Sequence, residues 1–261
     1  MTPKLIAIDL DGTLLNSQGR SSQRNAAALR AAHAAGIVLA PATARWYQAA
    51  VRPFEGLGIE VPAIASAGAD VRAKDGSVVG QWPLETDFAL FFADLCNRAG
   101  WTATVSTHER AYRRADELPV WAANAPDWLK PVKAFEGEHL ERAFSVLAEA
   151  RADDAYLSEL EAWAGRASLH HALSFNGDAL LTITGAGVDK GSGLLALCSG
   201  LGIAPAEAVA LGDSDVDVPM FRIAGTAVVM ANGTAAAKAA ANMSTASADE
   251  DGVAEFIESL L

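Results

Sequence analysis

Residues 5–13 read LIAIDLDGT, an apolar run that ends in two aspartates, Asp9 and Asp11, separated by one residue. A continuously apolar stretch of this length suits a parallel strand covered on both faces. Residues two apart on a strand share a side, so both carboxylates belong to one end of it. Like charges held that close raise one pKa or recruit a cation. Gly12 permits a sharp turn directly afterwards, and the N–H groups of such a turn can face an anion.

Working outward, strand and helix signals alternate. Residues 22–35 read as a helix capped by Ser21-Ser22 and stopped at Gly36. IVLAPAT is a second strand, ARWYQAAVRPFEGLG a helix disturbed at Pro53, and AIAS a third strand. ADVRA and SVVGQW, joined by Lys74-Asp75-Gly76, read as a β-hairpin. Beyond Pro83 the texture changes. ETDFALFFADLCNRAG is an amphipathic helix, TATVST, KPVKAF and LLTIT are strand candidates, and EHLERAFSVLAEAR reads as a helix among them. PVWAANAPDWLKP looks irregular. From GVDKGSGLLALCSGLG onward the strand–helix rhythm returns through AVALGD and TAVVM to a last helix ending in FIESLL. The expected fold is therefore α/β: a Rossmann-like parallel sheet core with an inserted α+β cap domain. The boundaries are a first core part at 1–83, a cap at 84–186 and a second core part at 187–261.

In open α/β sheets ligands bind beyond the carboxyl ends of the strands. Asp9, Thr43 and Asp213 all fall at such ends, so three distant residues converge on one sheet edge. Of the Asp9/Asp11 pair, one aspartate can attack an electrophile while the other protonates a leaving group and later activates water. Such a pair suits Mg²⁺, a hard cation that prefers oxygen ligands. In LGDSDVDVPM the acids Asp213, Asp215 and Asp217 follow a strand and open a helix restricted by Pro219, a pattern that favours metal binding over a simple helix-dipole effect. In GVDKGSG, Asp189 can cap a helix and leave Lys190 at its positive end, where a lysine is out of place unless an anion lies nearby.

Other chemistries fit poorly. Lys190 precedes its glycine, which does not match a P-loop, and the acidic loop lacks the Gly and Glu offsets of an EF-hand. No histidine spacing matches a metal motif, and His170-His171 belongs to the cap's sheet or surface. The net charge of −12 argues against a nucleic-acid surface. The two cysteines, Cys96 and Cys198, read as buried thiols of a reducing compartment. Neither a signal-type stretch nor an apolar run long enough for a bilayer is evident, so a cytoplasmic protein, monomer or homodimer, without membrane partners is expected.

DLDGT, a threonine after the second strand, DKG and GDSDVDVPM, in that order, resemble the haloacid dehalogenase superfamily. The place and size of the insertion narrow the resemblance to its Cof-type phosphatase branch. That resemblance implies Asp9 as nucleophile forming an aspartyl-phosphate, Asp11 as general acid/base, Thr43 as a hydrogen-bond donor to the phosphoryl group and Lys190 as its neutralising cation. It further implies substrate and phosphate contacts from Gly12, Ala44, Arg45 and Gly68. Mg²⁺ would be held by Asp9, the Asp11 backbone carbonyl, Asp213 and Asp217. The implied reaction is hydrolysis of a small phosphorylated metabolite such as a sugar phosphate, with the cap closing over the site.

Three departures accompany the match. TAR (Thr43-Ala44-Arg45) stands where the family usually has Thr-Gly-Arg, Ala67 stands where an Asn is common, and Val216 where an Asn usually precedes the last Asp. Each lost amide costs on the order of 1–3 kcal/mol if a buried partner is left unpaired. Two other readings follow from the same residues: a phosphomutase of the phosphomannomutase type, and a non-catalytic binding module that retains the metal site. Arg113, Arg114 and Asn176 are candidate cap contacts, and Trp121 and Trp128 candidate linings of a substrate entrance.

Overall fold

A computed structural model describes residues 2–117, 123–150, 154–163, 165–173 and 179–261. The chain divides into two compact units, Met1–Gly80 with Asp189–Leu261, and Gln81–Val188.

The first unit is built on five parallel strands. The opening apolar run becomes β1 (Leu5–Ile8), every residue of it buried. It is flanked by β2 (Val38–Pro41) and, from the other end of the chain, by β12 (Ala208–Gly212). Strands β13 (Thr226–Met230) and β14 (Met243–Thr245) complete the order β14-β13-β12-β1-β2. Helix α1 (Gln23–Ala34) starts where the Ser22 side chain accepts from the Asn25 N–H, and Gly36 follows its end with φ of 84°. Helix α2 (Tyr47–Glu55) carries Pro53 in its interior. After β3 (Ala63–Ala65), the expected hairpin forms from β4 (Asp70–Arg72) and β5 (Val78–Gln81). The core fills with Ile6, Ile8, Leu39, Phe54, Leu211, Val228 and Ile257, the last from α7 (Gly252–Leu260).

The second unit has a six-stranded sheet in the order β10-β11-β9-β6-β7-β8, antiparallel except for the parallel β7–β8 pair. These are β6 (Ala103–Ser106), β7 (Ala111–Arg114), β8 (Leu129–Val132), β9 (Ser145–Glu149), β10 (Ala167–Leu173) and β11 (Ala179–Gly185). Helix α3 (Thr86–Ala99) packs Phe88 and Phe92 into this unit's core.

One expectation is overturned here. EHLERAFSVLAEAR is not a helix: a short 3₁₀ turn at Gly137–Leu140 is followed by β9, which pairs with β6 and β11. Its Leu, Ala and Glu residues favour helix locally, but a position between two strands satisfies every backbone group and buries Val146 and Ala148. Of the cap candidates, Arg113 pairs with Glu149 and Thr104. Arg114 is buried, donating to the Trp101 carbonyl and paired with Asp116, so it is a structural cation rather than a surface one. Trp121 and Asn176 lie outside the described residues. Among the described residues no helix is long and apolar enough to cross a membrane.

Candidate active site

Strand register sets the site. Ile8 pairs with Leu211 on one side and Pro41 on the other, so the next residues, Asp9, Gly212 and Ala42, stand at one level at the carboxyl ends of their strands. Thr43 and Asp213 follow one step later. The Asp9 N–H still donates to Leu211 (2.9 Å) and the Ala42 N–H to Ile8 (2.9 Å), which fixes these loops before they diverge.

Lys190 comes from α4 (Lys190–Leu201), whose start is tightly specified. Asp189 caps it, accepting from the Ser192 N–H at 2.8 Å. Gly68, φ 100°, lies against this turn: a Cβ there would sit 2.0 Å from the Asp189 carbonyl oxygen. Gly191 is equally constrained, 2.6 Å from the Pro219 carbonyl by the same measure. These close approaches deliver Lys190 into the interior, where it is 2% exposed. Its Nζ donates to Asp9 Oδ1 and to Asp217 Oδ1, each at 2.6 Å.

Asp217 is fully buried, and its second oxygen, Oδ2, accepts from the N–H groups of Asp213 and Ser214 and from the Ser214 hydroxyl. It thus holds both the lysine and the loop that carries Asp213. Asp213 Oδ1 accepts from Thr13 Oγ1 at 3.1 Å. Asp9, Asp213 and Asp217 can each present a carboxylate oxygen within 4.8 Å of the others.

The electrostatics follow from this crowding. Burial pushes the Asp9 carboxyl well above the usual range, opposed by Lys190 and reinforced by Asp217, Asp213 and Asp11. Burial and then the Asp217 charge push Asp213 up to about 7, against the Thr13 hydrogen bond and Lys190. Burial alone would lower the Lys190 pKa, but the charges of Asp217 and Asp9 reverse that and hold it protonated. One ammonium stands among three carboxyl groups, and the raised Asp9 and Asp213 reflect a crowding of oxygen donors that added positive charge would relieve. Those donors fit a hard divalent cation.

Asp11 lies farther out. Its side chain is 43% exposed and is gripped by Arg45, Nε to Oδ2 at 2.8 Å and Nη2 to Oδ1 at 2.5 Å. Thr43 is buried and its Oγ1 accepts from the Arg45 N–H, while half-buried Ala44 links the two. Gly12, φ 85°, packs so closely on Asp213 that a Cβ would lie 2.6 Å from its Oδ2. The structure therefore brings Asp9, Asp213, Asp217 and Lys190 into one cluster, joins Asp11 to Arg45, and sets Gly68 against the start of α4. Asp215 is exposed and bonds Thr234 instead.

Sequence reasoning missed Thr13 and Ser214. Small hydroxyl residues beside acids carry little signal, although each lies within one residue of a residue that was singled out. The Ala67 departure also has a backbone consequence. Ser66 and Ala67 take left-handed φ values of 50° and 55°, a region where an L-residue costs about 1–2 kcal/mol and Asn or Gly is better tolerated. Ala67→Gly is expected to raise stability by about 0.5–1 kcal/mol, after allowance for glycine's unfolded-state entropy. A higher urea midpoint in equilibrium unfolding would show it, and a lower one would contradict it.

Comparison with known proteins agrees with this architecture. A family model of haloacid dehalogenase-like hydrolases matches residues 6–257. The chain is 29% identical over 256 residues to the 5-amino-6-(5-phospho-D-ribitylamino)uracil phosphatase YcsE of Bacillus subtilis, covering 97% of this chain and 94% of that one. It is 31% identical over 267 residues to a phosphoglycolate phosphatase of Halorubrum lacusprofundi, covering 100% and 98%. A solved haloacid dehalogenase-like hydrolase from B. subtilis superposes with a TM-score of 0.84 at 25% identity, covering 99% of this chain and all of that one.

Proposed function

The chain belongs to the haloacid dehalogenase-like hydrolases, in their Cof-type branch, and from that membership and the site geometry we propose that it is a Mg²⁺-dependent phosphatase of small phosphorylated metabolites. The observation that carries the reading is the buried Lys190 ammonium, held 2.6 Å from Asp9 within a cluster of carboxylates suited to a divalent cation.

Asp9 is assigned as the nucleophile. Lys190 occupies Oδ1, and Oδ2 attacks phosphorus; the phosphorus–oxygen bond to the leaving group breaks as the bond to Asp9 forms. Asp11 gives its proton to the departing oxygen. It then removes a proton from water, whose oxygen attacks phosphorus, releases inorganic phosphate and restores the Asp9 carboxylate. For Asp11 to do this, at least one of its two Arg45 hydrogen bonds must open, which makes Arg45 both its holder and its nearest counter-charge. Thr43 donates its hydroxyl to a phosphoryl oxygen. Asp9, Asp213, Asp217 and the Asp11 carbonyl would hold Mg²⁺, which supplies positive charge against the phosphoryl oxygens.

As to substrate, the relatives' names span a phosphorylated ribityl compound and phosphoglycolate. Sugar and polyol phosphates therefore head the panel to be tried. Two buried, unpaired cysteines suit a reducing cytoplasm.

The test is release of phosphate from p-nitrophenyl phosphate and from a sugar-phosphate panel, with Mg²⁺ or with EDTA. Turnover is expected with the metal and a fall of about 10²-fold or more without it, the size of loss seen when one preorganised charge contact is removed. Absence of metal-dependent release across the probe and the panel would overturn the reading.

A further inference from the structure

The loop that follows β13 carries none of the acids and belongs to none of the motifs assigned above, yet it touches both acidic loops. Asn232 Nδ2 donates to the Gly12 carbonyl at 2.8 Å, and its Oδ1 accepts from the Ala248 N–H at 3.0 Å. Two residues on, the Thr234 N–H donates to the Asp213 carbonyl at 2.8 Å. The Thr234 hydroxyl donates to Asp215 Oδ1 at 2.5 Å and caps α6 (Ala235–Ala240) by accepting from the Ala237 N–H. Gly233, between them, fits where a Cβ would lie 2.6 Å from Val229 and 3.1 Å from the Asp213 carbonyl oxygen.

One short segment thus fixes the backbone of the β1 loop at Gly12 and of the β12 loop at Asp213. Those two loops meet at the Asp213 side chain: the Gly12 backbone packs on its carboxylate, and the Thr13 hydroxyl donates to Oδ1. Their relative position decides how far the Asp213 oxygens stand from those of Asp9. Both polar ends of the Asn232 amide are spent on backbone groups of segments far apart in sequence, Gly12 and Ala248.

We propose that Asn232 is a positioning residue, which sets the spacing between the Asp9 and Asp213 carboxylates and through it the affinity for the divalent cation. The proposal rests on the phosphatase reading for its catalytic consequence. Its effect on cation binding is measurable without turnover.

Asn232→Asp keeps the acceptor for Ala248 but loses the donor to Gly12, and Asn232→Leu loses both. Ser17→Ala is the comparison. Ser17 also tethers the N-terminal segment to the C-terminal one, through Asp249, but at the exposed surface and through bonds that involve neither Gly12 nor Asp213. The measurements are calorimetric titration of the metal-free proteins with MgCl₂, thermal midpoints, and p-nitrophenyl phosphate kinetics. Both Asn232 variants are expected to weaken Mg²⁺ binding by about 10-fold or more, the usual effect of losing a residue that orients a ligand. Their kcat should fall at limiting Mg²⁺ with KM for the aryl phosphate little changed, while Ser17→Ala leaves Mg²⁺ affinity and kcat as they are. Asn232 variants with lower midpoints but unaltered Mg²⁺ affinity would reduce the residue to a structural tether and overturn the proposal. Mg²⁺ binding that weakens in these variants, in a protein that releases no phosphate, would support the positioning role while the phosphatase reading falls. Absence of Mg²⁺ binding to the unaltered protein would overturn both.

Discussion

Asp9→Asn is expected to lower phosphate release by about 10⁴-fold or more at saturating Mg²⁺, with little change in folding stability. The catalytic loss is large because an amide oxygen cannot form the phosphoryl-enzyme bond, and deleting a nucleophile typically removes most of the covalent route. Stability is spared for a reason visible in the structure. Burial already presses Asp9 toward its neutral form, and Lys190 retains Asp217 as a second acceptor at 2.6 Å. A neutral isostere therefore removes like-charge repulsion with Asp213 and Asp217 while losing one charged hydrogen bond, and the two changes oppose each other. Steady-state kinetics beside urea unfolding separate the effects. Activity within tenfold of the unaltered protein would remove Asp9 from the role assigned to it.

Lys190→Met is expected to damage both activity and stability. Removing one partner of a buried charge cluster leaves its carboxylates without their cation, a loss of roughly 3–5 kcal/mol, and catalysis loses a cation in contact with Asp9, the proposed nucleophile. The stability loss should depend on pH in a definite direction. Without the ammonium, Asp9, already raised by burial, is raised further. A carboxyl whose folded pKa lies above its unfolded value costs stability at pH values above that unfolded value, and the cost fades as acid protonates it in both states. The variant should therefore be most destabilised near pH 8 and approach the unaltered protein near pH 5, as read from urea midpoints at the two pH values. A deficit that is constant with pH would mean the lysine stabilises by packing alone.

The site was more legible in the sequence than the second unit was, and the reason is physical. Carboxylates at strand ends are conspicuous because nothing about strand formation asks for them: Asp9 interrupts an apolar run, and Asp213 ends another. Lys190 at a helix start contradicts the macrodipole, and its resolution lies in long-range pairs with Asp9 and Asp217. Asp217 was expected only as a metal ligand, whereas its two oxygens also hold the lysine and the Asp213 loop. That dual duty depends on the meeting of residues from α4 and the β12 loop, which no local pattern reports.

Thr13 and Asn232 escaped notice for the related reason that their partners are 200 and 220 residues away. In the second unit, β9 reads as helix because Leu, Ala and Glu favour one in isolation, and only its place between β6 and β11 makes it a strand. Strand β7 was not anticipated either: AYRR carries two arginines, and its pairing with β6 and β8 becomes legible only once Arg114 is seen to be buried and tied to Trp101 and Asp116. The last core strand, β14, has only three residues, MST, too few for any alternation to register.

The central claim is that the phosphoryl group rests transiently on Asp9. Rapid acid quench during turnover of p-nitrophenyl phosphate with Mg²⁺, followed by borohydride reduction and peptide mass spectrometry, tests it directly, because an acyl phosphate at an aspartate is reduced to homoserine. Homoserine at position 9, dependent on substrate and absent at position 11, is the expected result. Turnover without any such mark at Asp9, or with the mark at Asp11 or Asp213, would contradict the account.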